Sequence, residues 1–340
     1  MLALGALAAT TGCTSTTGGG VGGAGGASPG GADGGIVAQC ATISGIQVVT
    51  SLPESPMPMP PASSYVSAMA NCPAGKVAIG GGGQFVDTAG GIKDGALMSS
   101  LPLGGSSTMP PTGWVVSGST QYTGANGMGP SDQLIAYVVC AAGIHPSTVT
   151  TAAPLVLTAP PQSYFLNAQA SCLSGQTALS GGVRFADAIP STKDGLLMSS
   201  LPDYTGSNPP TGWLASGSAQ YTTIGGKALG DHLEVQALCA DVCPAAAIEV
   251  ITAQTTPVAN SYHGTPIACP SGKVAISGGA RFASSTGTAD GALMRSMPVF
   301  VPGGPPTGWV AAGSTQYLSG NGGGPSDHLV VYAVCAVVSP

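Results

Sequence analysis

The chain has 340 residues, of which 54 are Gly and 29 Pro, while Asp, Glu, Lys and Arg together make up 6%; about a quarter is usual in soluble domains. Its formal net charge of −6 is spread along the whole length, with no run of Lys or Arg able to neutralise successive phosphates, which argues against nucleic acid as a partner. Gly and Pro at this density oppose long helices and punctuate short runs rich in Val, Ile, Thr and Tyr, so the composition predicts an all-β protein.

Leu2 to Ala9 form an apolar run followed by small residues, too short to span a bilayer and matched to the apolar core of an export signal, although without a charged segment ahead of it. Thr11-Gly12-Cys13 resembles the end of a bacterial lipobox, with Thr10 where that pattern prefers Leu. Residues 1–12 are therefore expected to be a lipoprotein signal and Cys13 the lipidated residue. Residues 13–38, nearly all Gly, Ser, Thr and Ala, have no apolar periodicity to offset the entropy of ordering and read as a disordered tether. Any membrane contact is expected through that lipid anchor alone.

The rest of the chain is organised by Pro-Pro-Thr-Gly-Trp, which occurs at Pro110 to Trp114, Pro209 to Trp213 and Pro305 to Trp309. Recurrence at roughly 97 residues marks three copies of one unit. The expected units are residues 39–142, 143–242 and 243–340, giving three tandem β-sandwich-like repeats behind the signal and tether. In the first unit six strands are predicted, over Gln47 to Ser51, Tyr65 to Asn71, Lys76 to Phe85, Ala96 to Leu101, Trp114 to Tyr122 and Gln133 to Ala141. The alternative is one closed assembly in which strands are exchanged between copies.

Within the third predicted strand, Val77, Ile79 and Phe85 share a face by period two, and Gly80 to Gly83 mark a bulge or a close approach of another backbone. A phosphate cradle fails there for want of a following helix and a Lys-Ser/Thr pair. Asp94-Gly95, Asp194-Gly195 and Asp290-Gly291 read as tight turns. The same acids, with Asp132, Asp231 and Asp327, leave open an oxygen-rich calcium site. The three Trp residues read as core anchors, with a sugar-stacking platform as the sharper alternative. In the last strand Leu134, Ala136, Val138 and Cys140 point inward, as do Leu233, Val235, Ala237 and Cys239, then Leu329, Val331, Ala333 and Cys335. The outward positions are Ile135 and Tyr137, then Glu234 and Gln236, then Val330 and Tyr332. That pattern predicts a neighbour beside the outer units and solvent beside the middle one.

Nine cysteines, most of them in repeating positions, form a disulfide framework rather than a set of catalytic thiols. The repeated spacing pairs Cys72 with Cys140, Cys172 with Cys239 and Cys269 with Cys335. Cys40 and Cys243 are left over, free to pair with each other by exclusion. No metal site and no cofactor are expected, since Cys and His do not cluster as zinc ligands do.

Cys72-Pro73-Ala74-Gly75 running on to Gly80-Gly81, then Gly113-Trp114, then Tyr137-Val138-Val139-Cys140-Ala141 resembles a poorly characterised β-rich module of exported bacterial proteins. The second unit departs from it at Leu173 and Gln236. The resemblance implies an exported β-rich protein and supplies no catalytic residues.

Only the turn Asp and the Asp before the last strand recur as ionisable groups in all three units, and no nucleophile-elbow sequence accompanies Asp231-His232. The expectation is a non-catalytic envelope binding or adhesion protein, with a lectin-like glycan binder and a purely structural component as alternatives. Its candidate partners are polysaccharide or extracellular protein. The candidate contact residues are Gln121, Gln220 and Gln316 beside the Trp strands and the turn acids Asp94, Asp194 and Asp290.

Overall fold

In the computed structural model, the described residues are 42–55, 65–87, 95–106, 109–120, 132–144, 148–151, 155–156, 165–186, 195–206, 209–218, 232–242, 247–256, 262–283, 291–315 and 328–339. Strands account for about three-quarters of them. The first repeat contains β1 (Ser44–Thr50), β2 (Tyr65–Asn71), β3 (Val77–Asp87), β4 (Ala96–Leu103), β5 (Gly113–Ser119) and β6 (Asp132–Ala142). The second contains β7 (Thr148–Thr151), β8 (Leu155–Val156), β9 (Phe165–Ser171), β10 (Thr177–Ala186), β11 (Leu196–Asp203), β12 (Gly212–Ser218) and β13 (His232–Ala240). The third contains β14 (Ile248–Gln254), β15 (Tyr262–Ala268), β16 (Val274–Ala283), β17 (Ala292–Phe300), β18 (Pro306–Ser314) and β19 (His328–Ala336). The six strands expected for the first repeat are all present. The signal, the tether, Cys13, Cys40 and Cys243 lie outside the described residues.

Each repeat folds as two three-stranded half-sheets, and each half-sheet joins one from another repeat. The first sheet runs β1-β6-β3-β17-β18-β15, the second β2-β5-β4-β10-β13-β7, with β8 also on β13, and the third β14-β19-β16-β11-β12-β9. The first repeat thus shares one sheet with the third and one with the second, and the second and third share the last. The cycle closes, and residues 40–340 form one compact unit. The repeats are sandwich-like, as expected, and they are also fused edge to edge.

Three short antiparallel seams make the fusion. Arg295 and Ser296 on β17 face Gln84 and Gly83 on β3. Ser99 and Ser100 on β4 face Arg184 and Val183 on β10, and Ser199 and Ser200 on β11 face Arg281 and Ala280 on β16. On one strand of every seam a proline follows within two residues, at Pro102, Pro202 and Pro298, and it has no N–H with which to extend the ladder.

The glycines of β3 now have separate reasons. A Cβ on Gly81 would lie 2.3 Å from the Trp114 ring, and one on Gly82 would lie 1.9 Å from the Ser296 carbonyl oxygen across the seam. Gly278 and Gly279 repeat this with Trp309 and the Ser200 carbonyl, at 2.4 and 1.9 Å. The strand is also bulged, its register slipping between Ala78 and Gly80. The bulge takes Ile79 out of the simple period-two phase with Phe85. Matching slips occur between Ala178 and Ser180 and between Ala275 and Ser277. The bulge residues Ile79, Leu179 and Ile276 are fully buried. The three bulges converge, because the Gly80 Cβ position is 2.2 Å from the Ile276 carbonyl oxygen and the Ser277 hydroxyl donates to the Leu179 carbonyl at 2.6 Å. Ala96, Leu196 and Ala292 meet in a second small cluster.

Trp114, Trp213 and Trp309 are 1%, 1% and 0% exposed, which makes them core anchors and removes them as sugar platforms. Each indole N–H donates to a seam serine, Ser100, Ser200 and Ser296, at 2.9, 2.9 and 3.0 Å. The disulfides Cys72–Cys140, Cys172–Cys239 and Cys269–Cys335 are formed as expected. Each ties the two half-sheets of one repeat together, and closing a loop of 66 to 68 residues contributes about 4 kcal/mol in the chain-entropy picture. Disulfides persist in oxidising compartments, so the protein belongs to one.

The neighbour expected beside the outer last strands is the adjoining repeat. Tyr137 packs with Met297 and Val310, and edge-on to Phe300. Tyr332 meets Tyr204 edge-on.

Two outcomes follow. Gly279→Ala, which must displace the Ser200 carbonyl, destabilises by about 3 kcal/mol or more, whereas Gly272→Ala, in an open turn at φ 81° with nothing within 4 Å, costs about 1–2 kcal/mol. Urea unfolding checks the order, and a reversal would contradict the seam geometry. An excised second repeat, residues 143–242, leaves β10 and β11 without β4 and β16, so the oxidised fragment lacks the cooperative thermal transition of the full chain in circular dichroism.

Candidate functional site

With the Trp rings buried, function has to be sought on the outward sheet faces, where strand register decides which side chains meet. Across the second sheet, Ser67 is opposite Ser117, Ser117 opposite Ser99, Ser99 opposite Arg184 across the seam, and Arg184 opposite Glu234. Five consecutive strands contribute to one polar row. Neighbouring strands lie about 4.8 Å apart, so the row spans roughly 19 Å.

The Ser99 and Ser117 hydroxyls share a hydrogen bond, and the Ser67 hydroxyl donates to the Val116 carbonyl at 3.2 Å. The Arg184 guanidinium donates through Nε and Nη2 to the two carboxylate oxygens of Glu234. His232 Nε2 lies 3.1 Å from Glu234 Oε1. A cleft of about 570 Å³ opens over this row, walled by Tyr65, Ser67, Ser99, Ser117, Arg184 and His232. Leu101 and Val115 add apolar surface. None of the described residues lining the cleft is a carboxylate, and Glu234 stands behind Arg184, its side chain 17% exposed against 49% for the arginine.

The other faces carry altered versions of the row. On the third sheet it reads Asn167, Ser216, Ser199, Arg281 and Val330, so Arg281 faces no acid. On the first it reads Gly264, Ala312, Arg295, Gln84 and Ile135, and the face beside it is covered by Tyr137, Met297, Val310 and Phe300. Gln84 Nε2 donates to the Tyr137 hydroxyl. Burial pushes the Tyr137 hydroxyl above its ordinary value, against the Gln84 hydrogen bond and the charge of Arg295. Burial likewise pushes Tyr332 up, opposed by Arg281.

Gln121, Gln220, Gln316, Asp94, Asp194 and Asp290 lie outside the described residues, as do Asp231 and Asp327 of the calcium alternative. Among the described residues, no group of three or more His, Cys, Asp or Glu is placed to hold a metal ion. No described helix is long and apolar enough to cross a membrane. The cleft escaped the sequence reading because it is built from two repeats. Its one visible signal was Glu234, the acid standing where the other copies have Ile135 and Val330.

The residues define a β-rich, disulfide-bonded repeat protein with a polar cleft at one seam. The sequence matches no protein-family model, and no curated protein is similar enough to suggest a role.

Burial pushes the Glu234 carboxyl up, but the hydrogen bonds and charge of Arg184, with His232 beside it, outweigh this and hold it below the ordinary carboxylate value. A depressed folded value means the stabilisation is fully present above the unfolded Glu value and is lost as pH falls through the lower folded one. Glu234→Gln should therefore cost at most about 1 kcal/mol at pH 7, as half-exposed ion pairs do. It should also flatten the fall of Tm below about pH 4.3, the unfolded Glu value, measured by thermal unfolding from pH 6 to 3.

Proposed function

We propose that this protein is a non-catalytic, exported binding protein of the cell envelope, acting in adhesion through its outward sheet faces. The observation that carries the reading is the cleft on the second sheet, where hydroxyls and one arginine line a concave surface of ligand size. The side chains that recur in all three copies support it by their occupation: the Trp residues are buried against glycine, the serines beside the seams hold the indoles, and the cysteines are paired. The resemblance to an exported bacterial module and the lipobox-like Thr11-Gly12-Cys13 support a surface location.

Among the readings, the cleft favours the lectin-like one over a purely structural role, because a space-filling component needs no arginine-lined concavity. Three identical weak sites are not what the described faces offer, since the position held by Arg184 and Arg281 on two faces is Gln84 on the first, and the residues opposite are Glu234, Val330 and Ile135. Binding is therefore assigned to one face, without avidity from repetition.

The full chain, labelled and applied to whole cells, immobilised polysaccharides and matrix proteins, should be retained on at least one surface and turn over nothing in a broad hydrolase screen. Absence of retention on every surface would sink the binding reading, and turnover abolished by a single His or Asp substitution would sink the non-catalytic one.

A further inference from the structure

We infer that the row Ser67, Ser117, Ser99 and Arg184 is a track for a carboxylate-bearing polysaccharide, with the acid group held by Arg184; this rests on the lectin-like reading above. The geometry of the guanidinium sets the charge of the ligand. Glu234 takes the Nε and Nη2 edge of Arg184, which leaves the adjoining edge, formed by Nη1 and the second N–H of Nη2, outside that ion pair on a half-exposed side chain that lines the cleft. That edge is the fork that receives a second carboxylate through two parallel hydrogen bonds. Glu234 and the sheet hold the arginine in place, so little side-chain entropy remains to be lost when the fork is filled. Among the described lining residues, His232 is the other group able to carry positive charge, and none is an acid.

The remaining wall sets the rest of the ligand. Ser67 and Tyr65 stand at the accessible end of the wall, Ser99 and Ser117 form a floor only 7% and 4% exposed with their hydroxyls bonded to each other, and Leu101 and Val115 add aliphatic surface. That alternation suits a sugar, which offers hydroxyls at its rim and C–H groups on its faces. The hydroxyls continue in line across three strands of one repeat before reaching the arginine of the next, so the site is elongated and favours a chain over a single ring. The third sheet supplies a comparison within the same molecule. Its Ser199 and Ser216 share a hydrogen bond as Ser99 and Ser117 do, but Arg281 faces Val330 instead of a carboxylate and its charge acts on Tyr332.

The test is isothermal titration of the full chain with tetragalacturonate, with maltotetraose as the neutral chain of equal length and with monomeric galacturonate. Tetragalacturonate is expected to bind at least about tenfold more tightly than either, the loss a charge-assisted hydrogen bond represents. Arg184→Gln and Arg184→Lys should each remove that preference, the lysine keeping the charge without the fork, while Arg281→Gln leaves it intact. Ser67→Phe, at an exposed position, blocks the track without touching Arg184, which separates loss of the site from loss of the fold; far-ultraviolet circular dichroism and Tm accompany every variant. Equal affinity for maltotetraose would overturn the carboxylate, equal affinity for the monomer would overturn the track, and equal weakening by Arg281→Gln would reduce the effect to overall charge. No binding of the three sugars by a chain still retained on cells would overturn this inference and leave the proposed function standing. Loss of cell retention as well would remove both.

Discussion

Trp stacked on Gly is the contact on which the rest of this structure depends. Trp114, Trp213 and Trp309 each fill the space between two half-sheets of one repeat, and they fit only because Gly81, Gly181 and Gly278 present bare backbone to the ring. The indole N–H then fixes a serine on the strand that forms the seam with the next repeat. Core and seam are therefore one device. A bulky aromatic contributes several kcal/mol through burial, and its single polar atom positions the edge where the next copy must dock. The following glycines, Gly82 and Gly279, let that neighbour's carbonyl approach from the other side. This pair of requirements accounts for the consecutive glycines more fully than turn formation does.

Much of the architecture was legible in the sequence because local pattern was sufficient to specify it. The alternation of Leu134, Ala136, Val138 and Cys140 fixes which face is core, and all four are fully buried. The cysteine spacing paired correctly because it recurs at the same place in each copy. The joining of repeats was less legible. A seam of two register pairs leaves no periodic trace of its own, and its requirements are carried by glycines and serines that also suit turns and loops. The bulge at Ile79 defeated a period-two reading for the same reason, since an inserted residue moves every later side chain to the opposite face.

The candidate cleft was the least legible part. Ser67, Ser99 and Ser117 are ordinary residues of a polar strand face, and Arg184 lies far from them in sequence, on another repeat. Only strand order brings them into line. Glu234 was visible as a departure from the other copies, but a lone acid on a strand does not disclose that an arginine stands opposite and a hydroxyl row beyond it. The apolar outer positions were more legible: they called for a neighbour, and Tyr137 and Tyr332 are met by residues of the adjoining repeat.

The closed order of the sheets also governs how the chain must assemble. As the chain emerges from its N-terminal end, each disulfide can form as soon as its own repeat is complete, because both partners lie within it. The seam between β3 and β17 has to wait for the third repeat. Throughout that interval the outer edge of β3 carries unpaired N–H and C=O groups, the kind of edge that recruits strands from other molecules. The bulge at Ile79 and the glycines after it disturb that edge as a template, so the residues that later admit the third repeat also shield the unfinished ring from the wrong partner.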